Sequence, residues 1–184
     1  MLVEDTAIPA VKIVTPKKFG DGRGFFSEVY NRSTWEGAGL RFEFIQDNHS
    51  FSSAIGTLRG LHFQTSPFAQ TKLLRVSRGR ILDVAVDIRR TSPTFGKYVT
   101  AELSAENWRQ MLVPVGFAHG FVTLDPDTEV LYKTTAVYCP ANDRGIAWDD
   151  EDIGVVWPLP QGGAILSDKD RMWPRLREAQ ELFE

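Results

Sequence analysis

Gly56-Thr57-Leu58-Arg59-Gly60-Leu61-His62-Phe63-Gln64 is the stretch on which the fold turns. Leu58, Gly60, His62 and Gln64 alternate along one face of an extended segment, with Arg59 on the other face, which is the two-residue period of a β-strand. Gly60 interrupts that strand and invites a bulge able to turn Arg59 and His62 toward the same side. The following segments have the same character. Lys72 to Arg78 and Ile81 to Ile88 flank Gly79, which suits a tight reversal. In the second of these, Leu82, Val84, Val86 and Ile88 share one face, while Ile81, Asp83, Ala85 and Asp87 share the other. Gln110 to Val113, Gly116 to Leu124 and Thr128 to Val137 follow, the last two joined by Asp125-Pro126-Asp127.

Strands this short and evenly spaced predict an all-β antiparallel sandwich or barrel. Helix signals are few: Ser33-Thr34 as a cap for one short helix, Ser104 to Arg109 as a helical turn, and Arg175 to Leu182 as a C-terminal helix. Before them, Asp21-Gly22-Arg23-Gly24 forms a turn into the extended run Phe25 to Tyr30. An N-terminal strand of this kind can add to the sheet edge of a second copy. A homodimer with exchanged N-terminal segments, drawn from about residues 1–50, is therefore expected.

The chain has 184 residues, which fits one domain spanning 1–184 with a core of its own. A net charge of −3 offers no basic field for nucleic acid. The single Cys139 excludes an internal disulfide and fits a reducing compartment; beside Tyr138 and Pro140 it reads as a buried structural thiol. No apolar stretch approaches the roughly 18 residues of a membrane span, and the acidic start is unlike a signal peptide. A cytoplasmic protein is expected.

The pattern from Gly56 to His62, together with Pro114-Val115-Gly116-Phe117-Ala118-His119, resembles the two motifs of cupins. That resemblance implies a jelly-roll barrel with a few short peripheral helices. A metal-binding cupin carries a second histidine two residues after the first and a glutamate soon after. Here those places hold Gln64 and the acid-free run Thr65 to Lys72. First-row metals need several imidazole, thiolate or carboxylate ligands, so no metal and no other cofactor is expected. Chemistry then falls to His62 itself.

On its own, His62 reads slightly better as a packed core histidine than as a catalytic one. Its neighbours alter the balance. Lys72 starts a strand on the face of Leu74 and Val76, where an ammonium group needs an anion or a wet pocket. Tyr132, on the face of Val130 and Thr134, needs a partner for its hydroxyl if buried. Together the three supply a base, a cation for a developing oxyanion and an acid. His49, next to Ser50, reads as an exposed histidine in a loop.

The longer set of segments resembles the dTDP-4-dehydrorhamnose 3,5-epimerase family. The match runs in order through Gln46-Asp47-Asn48-His49-Ser50, Gly56 to Gln64, Lys72-Leu73, Asp83 to Arg89, Pro114 to Phe121 and Tyr132-Lys133-Thr134. It continues through Gly145-Ile146-Ala147-Trp148-Asp149-Asp150, Trp157-Pro158 and Leu166-Ser167-Asp168-Lys169-Asp170, covering about Phe19 to Asp170. The resemblance implies dTDP-4-dehydro-6-deoxy-glucose as substrate, inverted at carbons 3 and 5 by proton abstraction next to the ketone. It makes His62 the base, Tyr132 the acid, Asp170 the carboxylate that orients His62, and Lys72 the enolate-stabilising cation. It implies nucleotide and sugar contacts from Arg23, Glu28, Gln46, Asn48, Arg59, His119, Asp143 and Lys169, with Phe19 and Tyr138 stacking on the thymine. Arg23 and Glu28 would act across the dimer. Asp143 stands where many relatives carry glutamate. A single-carbon epimerase or ketoisomerase on a related sugar, a non-catalytic sugar-nucleotide binder and a metal-dependent oxygenase are the competing readings.

Overall fold

Thirteen short strands carry the chain in a computed structural model that describes residues 1–184. The first four are β1 (Leu2–Asp5), β2 (Lys12–Thr15), β3 (Lys18–Asp21) and β4 (Gly24–Ser27), followed by the only α-helix, α1 (Arg32–Gly37). Then come β5 (Gln46–Ser52), β6 (Leu58–Gln64), β7 (Lys72–Arg78), β8 (Arg80–Asp87) and β9 (Tyr98–Ser104). Last are β10 (Gln110–Val113), β11 (Phe117–Thr123), β12 (Thr128–Thr134) and β13 (Asp143–Gly145). They form a six-stranded sheet in the order β1-β2-β10-β7-β12-β5 and a five-stranded sheet in the order β13-β6-β11-β8-β9. β3 and β4 stand apart as a hairpin. Every pair of neighbouring strands is antiparallel, and the whole is the cupin-type jelly roll expected.

The sheets meet over one core. Ile13, Leu74, Val76, Met111 and Val130 from the six-stranded sheet pack on Ile81, Ala85, Val99, Leu103, Phe117 and Phe121 from the other. Each outer face is covered as well. Val84, Val86, Ile88 and Ala118 lie beneath the C-terminal segment through Ile146, Ile153, Leu176 and Ala179. Leu73, Leu112 and Val14 lie beneath Trp35, with Tyr30, Phe42 and Phe44 beside it. Cover on both faces is why β11 is buried along its whole length and β8 from Asp83 to Asp87.

The bulge lies where Gly60 predicted it. Arg59 pairs with Phe121 and His62 with His119, so two residues of β6, Gly60 and Leu61, oppose Gly120 alone. The backbones touch there: a Cβ on Gly60 would lie 2.6 Å from the Cα of Gly120, and one on Gly120 would lie 2.8 Å from the Arg59 carbonyl oxygen. Only two facing glycines allow that approach.

Helices are where the sequence misleads. The expected C-terminal helix over Arg175 to Leu182 is a single 3-10 turn, Leu176–Glu178. Its backbone is held instead by Asp150, which accepts from the Leu176 N–H, and by docking of Leu176 and Ala179 on the five-stranded sheet. Ser104 to Arg109 is a turn, closed by Asn107 and reversed at Trp108, whose φ is +61°. The short N-terminal helix exists, but Asn31 caps it through the Thr34 N–H; Ser33 and Thr34 lie inside it. His49 is exposed as expected, yet on β5 rather than in a loop. Cys139 is partly exposed rather than buried, its thiol directed at Asn142 Oδ1.

Candidate active site

His62 and Tyr132 face one cavity from opposite sheets, His62 from β6 and Tyr132 from β12. The cavity has two lobes of about 430 and about 390 Å3, and His62, Lys72, Tyr132 and Lys169 border both. One lobe adds Arg59, His119, Ser167 and Asp170; the other adds Gln46, Asn48, Tyr138 and Asp143. The bulge explains how Arg59 and His62, three residues apart, come to share a lobe.

Asp170 arrives from far along the chain. Residues Gly56 to Leu58 hydrogen-bond to Ile165 on both sides, which lays the segment after Ile165 against the start of β6. A 3-10 turn, Lys169–Arg171, then points Asp170 inward, where it is buried and hydrogen-bonded to His62 Nε2. With Nε2 as donor to the carboxylate, Nδ1 carries the free lone pair of the neutral ring. Burial holds the His62 pKa below the ordinary histidine value although Asp170 pulls the other way. The imidazole is thus neutral at pH 7. Burial would raise the Asp170 pKa, but its bonds from His62 and Ser167 hold it below the usual carboxylate value.

Lys72, at the start of β7, reaches the His62 carbonyl oxygen at 3.4 Å. Burial lowers its pKa to about 8, with Asp143 and Asp83 opposing. It is still mostly charged at pH 7. Burial also raises the Tyr132 pKa, so its phenol is protonated there. His119 is buried, and its Nε2 lies 2.7 Å from Asp83 Oδ1. Lys169 pairs with Asp143, and the Tyr138 hydroxyl donates to the same carboxylate at 3.1 Å. Gln46 accepts from the Tyr138 N–H at 2.9 Å and donates to Asn48 at 3.0 Å. Arg59 donates to the Phe51 carbonyl and to Ser52 at 3.2 and 3.3 Å.

Gln64, in the place of a metal-cupin histidine, ties backbone together. Its Nε2 donates to the carbonyls of Phe68 and Val137 at 2.7 and 3.1 Å, and its Oε1 accepts from the Cys139 N–H at 2.7 Å.

Three expected contacts are not brought to this cavity within the single chain. Phe19 lies on the exposed β3–β4 hairpin. Arg23, at the hairpin turn, is 91% exposed and paired with Asp21. Glu28 accepts from Asn31 and Thr34. Two residues escaped the sequence reading. Asp83, the carboxylate behind His119, stands in the sequence only as one of two acids on a strand face and as part of the matching segment Asp83 to Arg89. Trp173 was not singled out, although its ring stands 6.1 Å from that of His62.

A jelly roll with a carboxylate-held imidazole on one sheet and a partly buried phenol and ammonium on the other defines a cupin-type enzyme equipped for acid–base chemistry. The chain matches the family model described as dTDP-4-dehydrorhamnose 3,5-epimerase over residues 5–178. It is 53% identical over 180 residues to the dTDP-4-dehydrorhamnose 3,5-epimerase of Salmonella typhimurium, covering 97% of each chain. The crystal structure of dTDP-6-deoxy-D-glucose-3,5-epimerase from Legionella pneumophila, in complex with dTDP-4-keto-L-rhamnose, superposes with a TM-score of 0.95. That protein is 41% identical, with 100% of this chain and 97% of the other covered. ChmJ, a 3'-monoepimerase from Streptomyces bikiniensis solved with dTDP-quinovose, has a TM-score of 0.87 at 31% identity, covering 94% and 87% of the two chains. The chain belongs to the dTDP-4-dehydrorhamnose 3,5-epimerase family.

Proposed function

We propose that the chain inverts carbons 3 and 5 of dTDP-4-dehydro-6-deoxy-D-glucose to give dTDP-4-dehydro-L-rhamnose, within dTDP-L-rhamnose biosynthesis. The observation that carries this is the pair His62 and Tyr132 on opposite walls of one cavity. Inversion needs a base on one side of a carbon and an acid on the other.

The C4 ketone acidifies the hydrogens on its two neighbours. His62, neutral and oriented by Asp170, takes one proton; the C–H electron pair becomes a C=C bond and the carbonyl pair moves onto oxygen. Lys72 stabilises that enolate oxygen. As the enolate collapses back to the ketone, Tyr132 delivers a proton to the opposite face of the carbon. The phenolate then regains a proton and His62 releases its own to solvent, so no net proton is consumed. The same cycle serves the second carbon. Acid–base assistance of this kind contributes about 10²–10⁴-fold.

Arg59, His119, Lys169 and Asp143 border the volume where sugar and diphosphate would lie, with Gln46 and Asn48 as polar contacts. Tyr138 supplies one face for the thymine. Phe19, Arg23 and Glu28 act on the site of a second copy, in a homodimer with exchanged N-terminal segments. The exposed aromatics Phe19, Phe25 and Phe26 of the β3–β4 hairpin support that arrangement. The chain acts as one domain in the cytoplasm; no helix is long and apolar enough to cross a membrane.

Proton NMR with the substrate in deuterium oxide tests the reaction. Deuterium at both C3 and C5, with the product reduced by a ketoreductase to the rhamnose form, is expected. Deuterium confined to one carbon after long incubation would make the chain a monoepimerase like ChmJ. Ligand binding with no exchange would make it a binder, or an enzyme for a different sugar.

A further inference from the structure

Trp173 has no part in the acid–base account, yet it touches the dyad from several directions. Gly145 is the register partner of His62 across β13 and β6. The indole sits on that glycine so closely that a Cβ there would lie 2.5 Å from its ring carbons. Its ring meets that of His62 edge-on, centroids 6.1 Å apart at 69°. The Lys169 ammonium stands 5.5 Å from the indole centroid. Trp173 follows the 3-10 turn that presents Asp170. Its Nε1 is buried without a hydrogen bond of ordinary geometry, a placement that in a folded interior calls for a reason.

We propose that Trp173 is a positioning residue for proton abstraction: seated on Gly145, its indole fixes the plane of the His62 ring, shields it from water and holds the Asp170 segment against it. The inference rests on the assignment of His62 as the base. Gly145 is the permissive element, because any side chain there would displace the indole. The N–H lies beside the Asp170 carboxylate and helps hold it in its anionic form. Burial is what chiefly lowers the His62 pKa, and the indole is among the groups that bury it. Aromatic edge contacts also restrict ring rotation, which costs little in binding but matters when a lone pair must be aimed at one C–H bond.

The test compares Trp173→Ala, Trp173→Phe and His62→Ala, each read by kcat and KM against pH and by the affinity for dTDP. Trp173→Ala should lower kcat by about 10- to 100-fold, the scale of a misaimed catalytic group, while leaving dTDP affinity unchanged. Its acid limb in the kcat profile should move to higher pH, because a rehydrated imidazole returns toward its ordinary pKa. Trp173→Phe keeps a ring on Gly145 and should recover most of kcat and the limb's position. If Trp173→Ala does not fold, Trp173→Leu gives the same reading with more of the volume kept. An acid limb that stays in place, or a kcat loss that only follows a loss of folded protein, would overturn the proposal. Should His62→Ala itself keep full turnover, the base assignment fails whatever Trp173 does. If His62→Ala is inactive while the Trp173 variants match wild type, the role of Trp173 alone falls.

Discussion

His62 and His119 are direct register partners across β6 and β11, and each imidazole is held through Nε2 by its own buried carboxylate, Asp170 for one and Asp83 for the other. The two pairs are built differently. Asp83 comes from β8, beside β11 in the same sheet, and its second oxygen is buried without a partner. Asp170 comes from a distant segment laid along β6; its carboxylate holds His62 while its backbone N–H donates to Ser167 Oγ. Only His62 borders both lobes of the cavity. One dyad therefore stands where the two lobes meet, and the other lines one lobe alone.

That asymmetry separates the acid from the base in experiment. His62→Ala should lose about 10²–10⁴-fold in turnover, with dTDP affinity kept, and should stop solvent deuterium from entering the substrate. Tyr132→Phe removes the acid and leaves the base. It should still wash deuterium into C3 or C5 on the face His62 serves, while formation of the inverted product collapses. Deuterium NMR alongside a product assay reads both. Loss of exchange in Tyr132→Phe would mean the phenol takes the proton, reversing the two roles.

The pH profile has a defined sign on each side. His62 must be neutral, and burial holds its pKa below the ordinary value of about 6.5. The acid limb of kcat should thus fall below that value. Lys72 must be charged, and its pKa is lowered to about 8, so activity should decline as pH rises through that value. Lys72→Met removes the cation, which should cost about 2.7–4 kcal/mol of barrier, the scale of one lost oxyanion donor. The alkaline limb should then shift upward to that of Tyr132, whose pKa burial raises. A wild-type alkaline limb unchanged in Lys72→Met would exclude Lys72 as its source.

Close backbone contact between β6 and β11 at the bulge sets where His62 and Arg59 stand. In Gly120→Ala the new methyl would lie 2.8 Å from the Arg59 carbonyl oxygen and 3.0 Å from the Gly60 Cα, both backbone atoms that cannot rotate away. Overpacking of this kind costs about 1–3 kcal/mol. Relief requires β6 and β11 to separate, which shifts His62 and Arg59 with them. Gly120→Ala should lower the melting temperature and kcat together. Gly162→Ala, with nothing within 4 Å of its would-be Cβ, should change neither.

How much of this was legible in the sequence follows from the range of the forces involved. Gly79 and the Asp125-Pro126-Asp127 turn marked strand ends, and Gly60 the bulge inside β6, because such backbone conformations are decided locally, and β10 lies at Gln110–Val113 as expected. The face periodicity of β8 was visible, but not that both faces are covered, since the cover comes from residues beyond Ile146. The C-terminal stretch has helix-forming side chains, and tertiary docking at Asp150 and the sheet overrides them. His62, Lys72 and Tyr132 stood out as costly side chains on apolar strand faces. Asp170 came by resemblance, because 108 residues separate it from His62 and no local pattern links them. Trp173 left no trace of its role, since that role depends on Gly145 being its seat.

The position of Arg23 yields a test of the dimer itself. Within one chain its guanidinium is held by Asp21 at the exposed hairpin turn, away from the cavity. If the hairpin serves the partner's site, each catalytic centre combines His62 of one copy with Arg23 of the other. Arg23→Ala and His62→Ala homodimers should then each be impaired, Arg23→Ala through KM and His62→Ala through kcat. Co-refolding the two variants makes heterodimers in which the Arg23→Ala chain keeps its own His62 and receives an intact Arg23 from its partner. That site is complete, so substrate affinity at the active sites should return to the wild-type value. An arginine acting within its own chain gives the opposite result. Every site that keeps His62 would then still lack Arg23, and mixing would leave KM where the Arg23→Ala homodimer had it.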